Sequence, residues 1–179
     1  QVRVTVPVHL AALSWTTFQL LEGKAPHHDG LFQNGVIDTP FVTLSIDDGL
    51  TLYDKTTNEA YEDFIRFEDR GDIGNEYIYF QPKGTEPIYA ELTAYEVLEN
   101  NARYAKILLK HDLTIPVSAD EQLDAEQRGI IEFMNRKASR SEELTTIPLE
   151  TEMTIFVDDP QIRFKTRFTN TAKDHRIRL

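Results

Sequence analysis

The chain has 179 residues, 40% of them hydrophobic, which suits one domain with a sizeable core and argues against wholesale disorder. Its 30 acidic against 19 basic residues leave a net charge of −11, a balance unsuited to nucleic acid or an anionic membrane, both of which reward clustered Lys and Arg. Cysteine is absent, which excludes disulfides and thiolate metal sites and favours a reducing, cytoplasmic setting; no run approaches the roughly 20 apolar residues of a membrane span.

Period two, the mark of half-buried strands, dominates from the first residues. Val2, Val4, Val6 and Val8 alternate with Arg3, Thr5 and Pro7, so the chain opens on a predicted strand without a leader-like layout. Val42, Leu44 and Ile46 form the next inward face, and Asp48-Gly49 offers hairpin chemistry before Leu50-Thr51-Leu52-Tyr53. Ile88, Ala90, Leu92 and Ala94 share a face against Tyr89, Glu91 and Thr93, and Asn100-Asn101 is expected to turn the chain through positive φ. A long strand follows, with Ala105, Ile107, Leu109, Leu113, Ile115 and Val117 on one side and His111 as the single polar member of the row. Ser118–Ser141 breaks the pattern: its charges are dense, and Leu123, Ile130, Ile131 and Met134 have helical spacing, which predicts one short helix within a long excursion. Met153, Ile155 and Val157 return to alternation, as do Ile162, Phe164 and Phe168 with Arg163, Lys165 and Arg167 opposite. The expected fold is all-β, an antiparallel β-sandwich over residues 1–179 without an internal boundary. Both ends read as interrupted strands, so the chain is expected to be a fragment of a larger multidomain protein.

Several motifs offer chemistry, and most have a plainer structural reading. His27-His28-Asp29 carries metal-ligand residue types, but neighbours on an extended chain point apart, and Pro26, Gly30 and Gly35 mark a surface loop. Arg70-Gly71-Asp72 spells an adhesion tripeptide, a match too short to weigh. Glu68, Asp69, Asp72 and Glu76 could supply the paired carboxylates that glycoside hydrolysis needs, or simply a solvated loop. Beside them Tyr77, Tyr79 and Phe80 could stack on sugar rings or divide between core and surface. His111 reads as a satisfied core histidine, and the basic row of the last long strand as a solvated or ion-paired face. No Gly-rich phosphate loop, GxSxG elbow or spaced metal-ligand set appears.

The run from Leu50 to Pro82 resembles a stretch of the bacterial class II α-mannosidases of glycoside hydrolase family 38. It carries Asp54-Lys55-Thr56-Thr57, then Phe67-Glu68-Asp69, Gly71-Asp72 and Gly74-Asn75-Glu76-Tyr77. Near the other end, Asn170-Thr171-Ala172-Lys173-Asp174-His175-Arg176-Ile177-Arg178 is similar to that family's "N-A-DHRLR" strand. The opening VRVTVPVHLAALSWTTFQL resembles the strand pair that precedes the family's sandwich.

The resemblance implies a galactose-mutarotase-like sandwich from a much larger retaining glycosidase acting on terminal α-mannosides. The parent's nucleophile and its zinc, or another divalent metal, are expected upstream of Gln1, so no catalytic residue and no metal ligand falls in this chain. One contact carries over. A family tyrosine reaches from the sandwich into the sugar subsite, and Tyr77 matches it best, with Tyr79 the alternative because Tyr79-Phe80-Gln81-Pro82 is one residue longer than the family pattern. Asp72 and Glu76 are expected to shape the loop through backbone hydrogen bonds. The expected partners are an α-mannoside and the remaining domains of the same chain. Two rivals remain: an autonomous carbohydrate-binding module using Tyr77, Tyr79 and Phe80, and a spacer sandwich with Tyr77 buried.

Overall fold

The computed structural model describes residues 8–19, 21, 23, 28–47 and 49–179. Among them, twelve antiparallel strands form three sheets. The first contains β1 (Phe32–Gln33), β2 (Val36–Asp38), β3 (Val42–Ser45), β4 (Thr51–Asp54) and β5 (Glu59–Tyr61), in sequential order. The chain then supplies β6 (Glu68–Gly71), β7 (Ile88–Tyr89), β8 (Glu91–Asn100) and β9 (Tyr104–Pro116), and after the excursion β10 (Leu144–Phe156), β11 (Ile162–Phe168) and β12 (His175–Arg178). The four-stranded sheet runs β11-β10-β9-β8 and the three-stranded sheet β12-β6-β7.

The long β9–β10 pair is the spine. Its register joins Leu144–Phe156 to Tyr104–Pro116 without a break, so every second residue of both strands meets the core. Two smaller sheets cover that face side by side. The five-stranded sheet lays Ile37, Val42, Leu44, Ile46, Leu50 and Leu52 over Ala105, Ile107, Leu109, Met153 and Ile155. The three-stranded sheet brings Phe67 against Leu113, Ile115, Ile147 and Leu149. Ile65 packs against both clusters and fills the seam between them. It does so at φ 68°, a conformation that β-branched residues rarely adopt.

His111 lies at that seam. It is buried and meets Phe67 edge-on at 5.3 Å, yet among the described residues its Nδ1 has no hydrogen-bond partner, so the satisfied core histidine expected from sequence is corrected on that point. Two sheets end here, and neither brings a polar group to that nitrogen. Burial pushes the imidazole below its ordinary value.

Other expectations change as well. Residues 1–7 and Asp48 lie outside the described residues; Val8 to Phe18 carry no strand and are exposed, so the predicted opening strand pair is absent over that stretch. The turn at Asn101 does not use positive φ: its side chain accepts the N–H groups of Arg103 (2.9 Å) and Tyr104 (3.1 Å) instead. Ala94 leaves the inner face because a bulge at Thr93 advances β8 by one residue, bringing Tyr95 rather than Ala94 opposite Leu109. On β11, Phe164 and Phe168 stand beside inward Met153 and Leu149 but remain exposed, for among the described residues no sheet extends far enough to cover this edge. Arg163 and Arg167 on the opposite face pair with Asp159 and Glu152, the ion-paired arrangement anticipated.

The excursion does contain one short helix, α1 (Glu121–Arg128). Asp120 caps its first turn by accepting the Gln122 N–H, acids occupy that turn, and the helix stops at Gly129. Leu123 is buried, but Ile130, Ile131 and Met134 are exposed, because the chain turns away after Gly129 rather than continuing the helical face. A bridge between Ala119 and Arg140 closes the base of the excursion, and buried Glu126 accepts the N–H groups of Lys137 (2.7 Å) and Ala138 (3.3 Å).

Candidate functional site

The acidic, aromatic loop emerges from β6, the central strand of the three-stranded sheet. Alternation along that strand sends Glu68 and Asp69 to opposite faces. Asp69 points inward and is fully buried; its two oxygens meet Arg140 Nη1 and His175 Nδ1, each at 2.6 Å. The other ring nitrogen of His175 faces Asn170 Oδ1 at 3.0 Å, and that oxygen also accepts the Ala172 N–H. Asp174 accepts from the Ala119 N–H through its carboxylate and from the Asp72 N–H through its carbonyl. The Asn170–Arg178 motif is thus a footing that joins β12, β6 and the excursion.

Glu68 faces outward between Arg70 and Arg178, with the Tyr89 hydroxyl at 3.4 Å. The Arg70 guanidinium, followed by that of Arg178, holds the Glu68 carboxyl down at about 2. Arg70 also donates to Gln81 Oε1, and Gly71 is buried under the Arg140 stem and Pro82, so the Arg-Gly-Asp tripeptide is not presented as an adhesion site.

Beyond Gly71 the loop folds on its own hydrogen bonds. Asp72 Oδ1 accepts the N–H groups of Gly74 (2.9 Å) and Phe80 (3.1 Å), bridging both legs, while the Ile73 N–H meets the Phe80 carbonyl. Asn75 Oδ1 accepts those of Tyr77 and Ile78, both at 2.9 Å, and closes the tip. Gly74 is required by space: an added Cβ would lie 1.8 Å from the Ile78 carbonyl oxygen. Glu76, expected with Asp72 to shape the loop through backbone hydrogen bonds, is exposed, and its neighbour Asn75 accepts the N–H groups at the tip.

The three aromatic residues separate. Tyr77 is 87% exposed at the tip. Tyr79 is half-buried, with the Arg176 guanidinium 3.7 Å from its ring centre and its hydroxyl donating to Gln81. Phe80 packs against the cluster of Ile73, Ala119, Leu123 and Ala138 and meets Phe133 edge-on at 5.6 Å. No three-ring platform is assembled.

Nor do the four acids make a catalytic pair. Glu68 and Asp69 are ion-paired on opposite faces, Asp72 is turned into the loop, and Glu76 faces solvent. Among the described residues, no group of three or more His, Asp or Glu side chains gathers as a metal site, so these residues do not fit the zinc that the sequence resemblance implies for the parent. His27 lies outside the described residues, and His28 and Asp29 are exposed.

No family model matches the chain. A protein from Halalkalibacterium halodurans, provisionally named a mannosylglycerate hydrolase, is 37% identical over 133 residues, covering 72% of this chain and 14% of that protein. An α-mannosidase from Enterococcus faecalis V583 superposes with a TM-score of 0.79 at 34% identity, over 86% of this chain and 18% of its own. A glycosyl hydrolase family 38 protein from Enterococcus faecalis gives 0.80 at 34% identity, over 87% and 19%. The chain is a β-sandwich region of glycosyl hydrolase family 38. It spans less than a fifth of each of these relatives. Read as a family 38 sandwich, its two motifs divide by role: Asp69 and the His175 side chain form the buried footing with exposed Asn170 at its rim, and Tyr77 stands open on the loop. Sequence reasoning missed Arg140 and Arg136, both from the excursion, because their partners on β6 and in the loop lie 71 and 62–63 residues away.

Proposed function

We propose that this chain is the non-catalytic sandwich of a longer, cytoplasmic, retaining α-mannosidase, bracing the catalytic domains and completing one wall of the sugar subsite with Tyr77. The observation that carries this reading is the contrast within one loop: the residues flanking Tyr77 are fixed by hydrogen bonds, while its ring is left to solvent. A fixed, exposed tyrosine suits contact with a sugar, whose hydroxyls its phenolic O–H can meet as donor or acceptor. In this reading the nucleophile and the zinc ligands belong to parts of the parent outside these residues. Family 38 relatives several times longer than the chain support the larger parent. An autonomous carbohydrate-binding module is the weaker alternative, because only one of its three proposed aromatic rings is open.

The substrate class is a terminal α-mannoside, and the 37% identity to the Halalkalibacterium protein makes mannosylglycerate the second substrate to test. The deciding assay compares hydrolysis of an aryl α-mannoside and of mannosylglycerate by the longer protein and by the 179-residue chain, with zinc added. Activity is expected in the longer protein alone, reduced by Tyr77→Phe. Inactivity of the longer protein on both would end the glycosidase reading; an active 179-residue chain would move the chemistry onto Glu68, Asp69, Asp72 and Glu76.

A further inference from the structure

The bonds made by Asp72 and Asn75 shape the loop from within and would travel with it if it swung as a unit. Its hold on the body of the protein comes from elsewhere. Arg136, in the turn that follows Phe133–Asn135, sends Nη1 to the carbonyls of Ile73 and Gly74, the latter at 2.6 Å, and Nε to the carbonyl of Ile131 at 3.3 Å. A planar guanidinium satisfies converging carbonyls in a fixed orientation, which a flexible ammonium does less rigidly. Beside it, the Phe133 ring meets Phe80 and Ile73 sits fully buried under the excursion, so both legs of the loop are held on the same side. Arg176, 3.7 Å from the Tyr79 ring centre, is a further contact to the outgoing leg.

We infer that Arg136 is the positioning residue for Tyr77, acting through the carbonyls of Ile73 and Gly74 to fix where the loop tip stands. The inference rests on the proposed subsite role of Tyr77. It also gives the excursion a purpose, since residues 118–141 become the abutment of the loop. A tip displaced by about 1 Å is enough to lower turnover by as much as ~100-fold when its contact matters to the reacting sugar.

The test pairs two readouts. Amide hydrogen exchange in the 179-residue chain is measured for Arg136→Ala and Arg136→Lys, with the β9 amides as a control for folding. Exchange at Gly74–Ile78 should rise at least ~10-fold in Arg136→Ala and less in Arg136→Lys, while β9 keeps its protection. In the longer protein, Arg136→Ala should lower kcat/KM for an aryl α-mannoside by ~10-fold, Arg136→Lys should recover part of that, and Arg136→Ala should add less than about a further twofold in a Tyr77→Phe background. Unchanged exchange in the loop would overturn the clamp itself. Losses of equal size in the unaltered and Tyr77→Phe backgrounds would overturn action through Tyr77. A loosened loop with kcat/KM untouched by either Arg136→Ala or Tyr77→Phe would remove the subsite role on which the inference stands, leaving a clamp with nothing to position.

Discussion

Asp69 and Tyr77 lie eight positions apart in one acidic run, and their surroundings could hardly differ more. Asp69 is fully buried between Arg140 and His175, while Tyr77 stands 87% exposed above a hydrogen-bonded hairpin. A buried ion pair is not a strong stabiliser against an apolar replacement, but removing one member strands the others without compensation. An exposed ring contributes almost nothing to folding. The contrast teaches that one resemblance to a family can carry two kinds of residue, those that build the platform and those it presents.

Breaking the footing should have the largest effect. Asp69→Ala leaves the Arg140 and His175 side chains buried without their carboxylate and should lower stability by about 3–5 kcal/mol. Urea unfolding measures this; a loss under about 1 kcal/mol would mean that the footing does not anchor the sheet. Gly74→Ala comes next, at about 2 kcal/mol, since the new Cβ must displace the Ile78 carbonyl. Its damage should stay in the loop, with β9 exchange protection retained.

Acid sharpens the comparison by separating two charges. Burial lowers His111 relative to the unfolded chain, so the unfolded state binds its proton first. Its share of stability is intact above the unfolded value of about 6.5, falls as pH drops below that, and levels off below the folded value. His111→Leu should flatten this limb of a stability–pH curve. Glu68 works in a lower window. Held down at about 2, it contributes fully above the ordinary carboxylate range, and that contribution is lost as pH falls from there through the folded value. Glu68→Gln should therefore lower stability by a constant amount above the carboxylate range and flatten the curve only on the far acid side. The smallest effect belongs to Tyr77→Phe, whose unfolding free energy should move by less than about 0.5 kcal/mol, although turnover by the longer protein falls.

The spine was legible in the sequence because alternation is a local property: Ala105 through Ile115 and Met153, Ile155 all lie on the buried face their spacing assigned. The buried footing could not be read the same way. Asp69 and His175 are 106 residues apart, and nothing in either neighbourhood names the other. The loop lies between these cases. Within it Asp72 and Asn75 accept backbone N–H groups, Glu76 is exposed, and Tyr77 is open while Tyr79 is half-buried, a division that spacing alone does not fix. Edges misled most. Phe164, Phe168 and Ala94 follow the alternation rule at the level of spacing, but a bulge and the limited reach of the covering sheets decide whether such residues are buried.

The pairing of residues 68–71 with 175–178 also sets an order of events in time. Helix α1 and the β8–β9 hairpin can form from neighbours in sequence, whereas the three-stranded sheet must wait for a contact spanning 106 residues. Contacts of that span are slow to form, because the loop they close has to be ordered before they reward it. During synthesis Asp69 therefore emerges long before His175 and remains a solvated carboxylate meanwhile. The platform beneath Tyr77 is among the last parts of this protein to assemble.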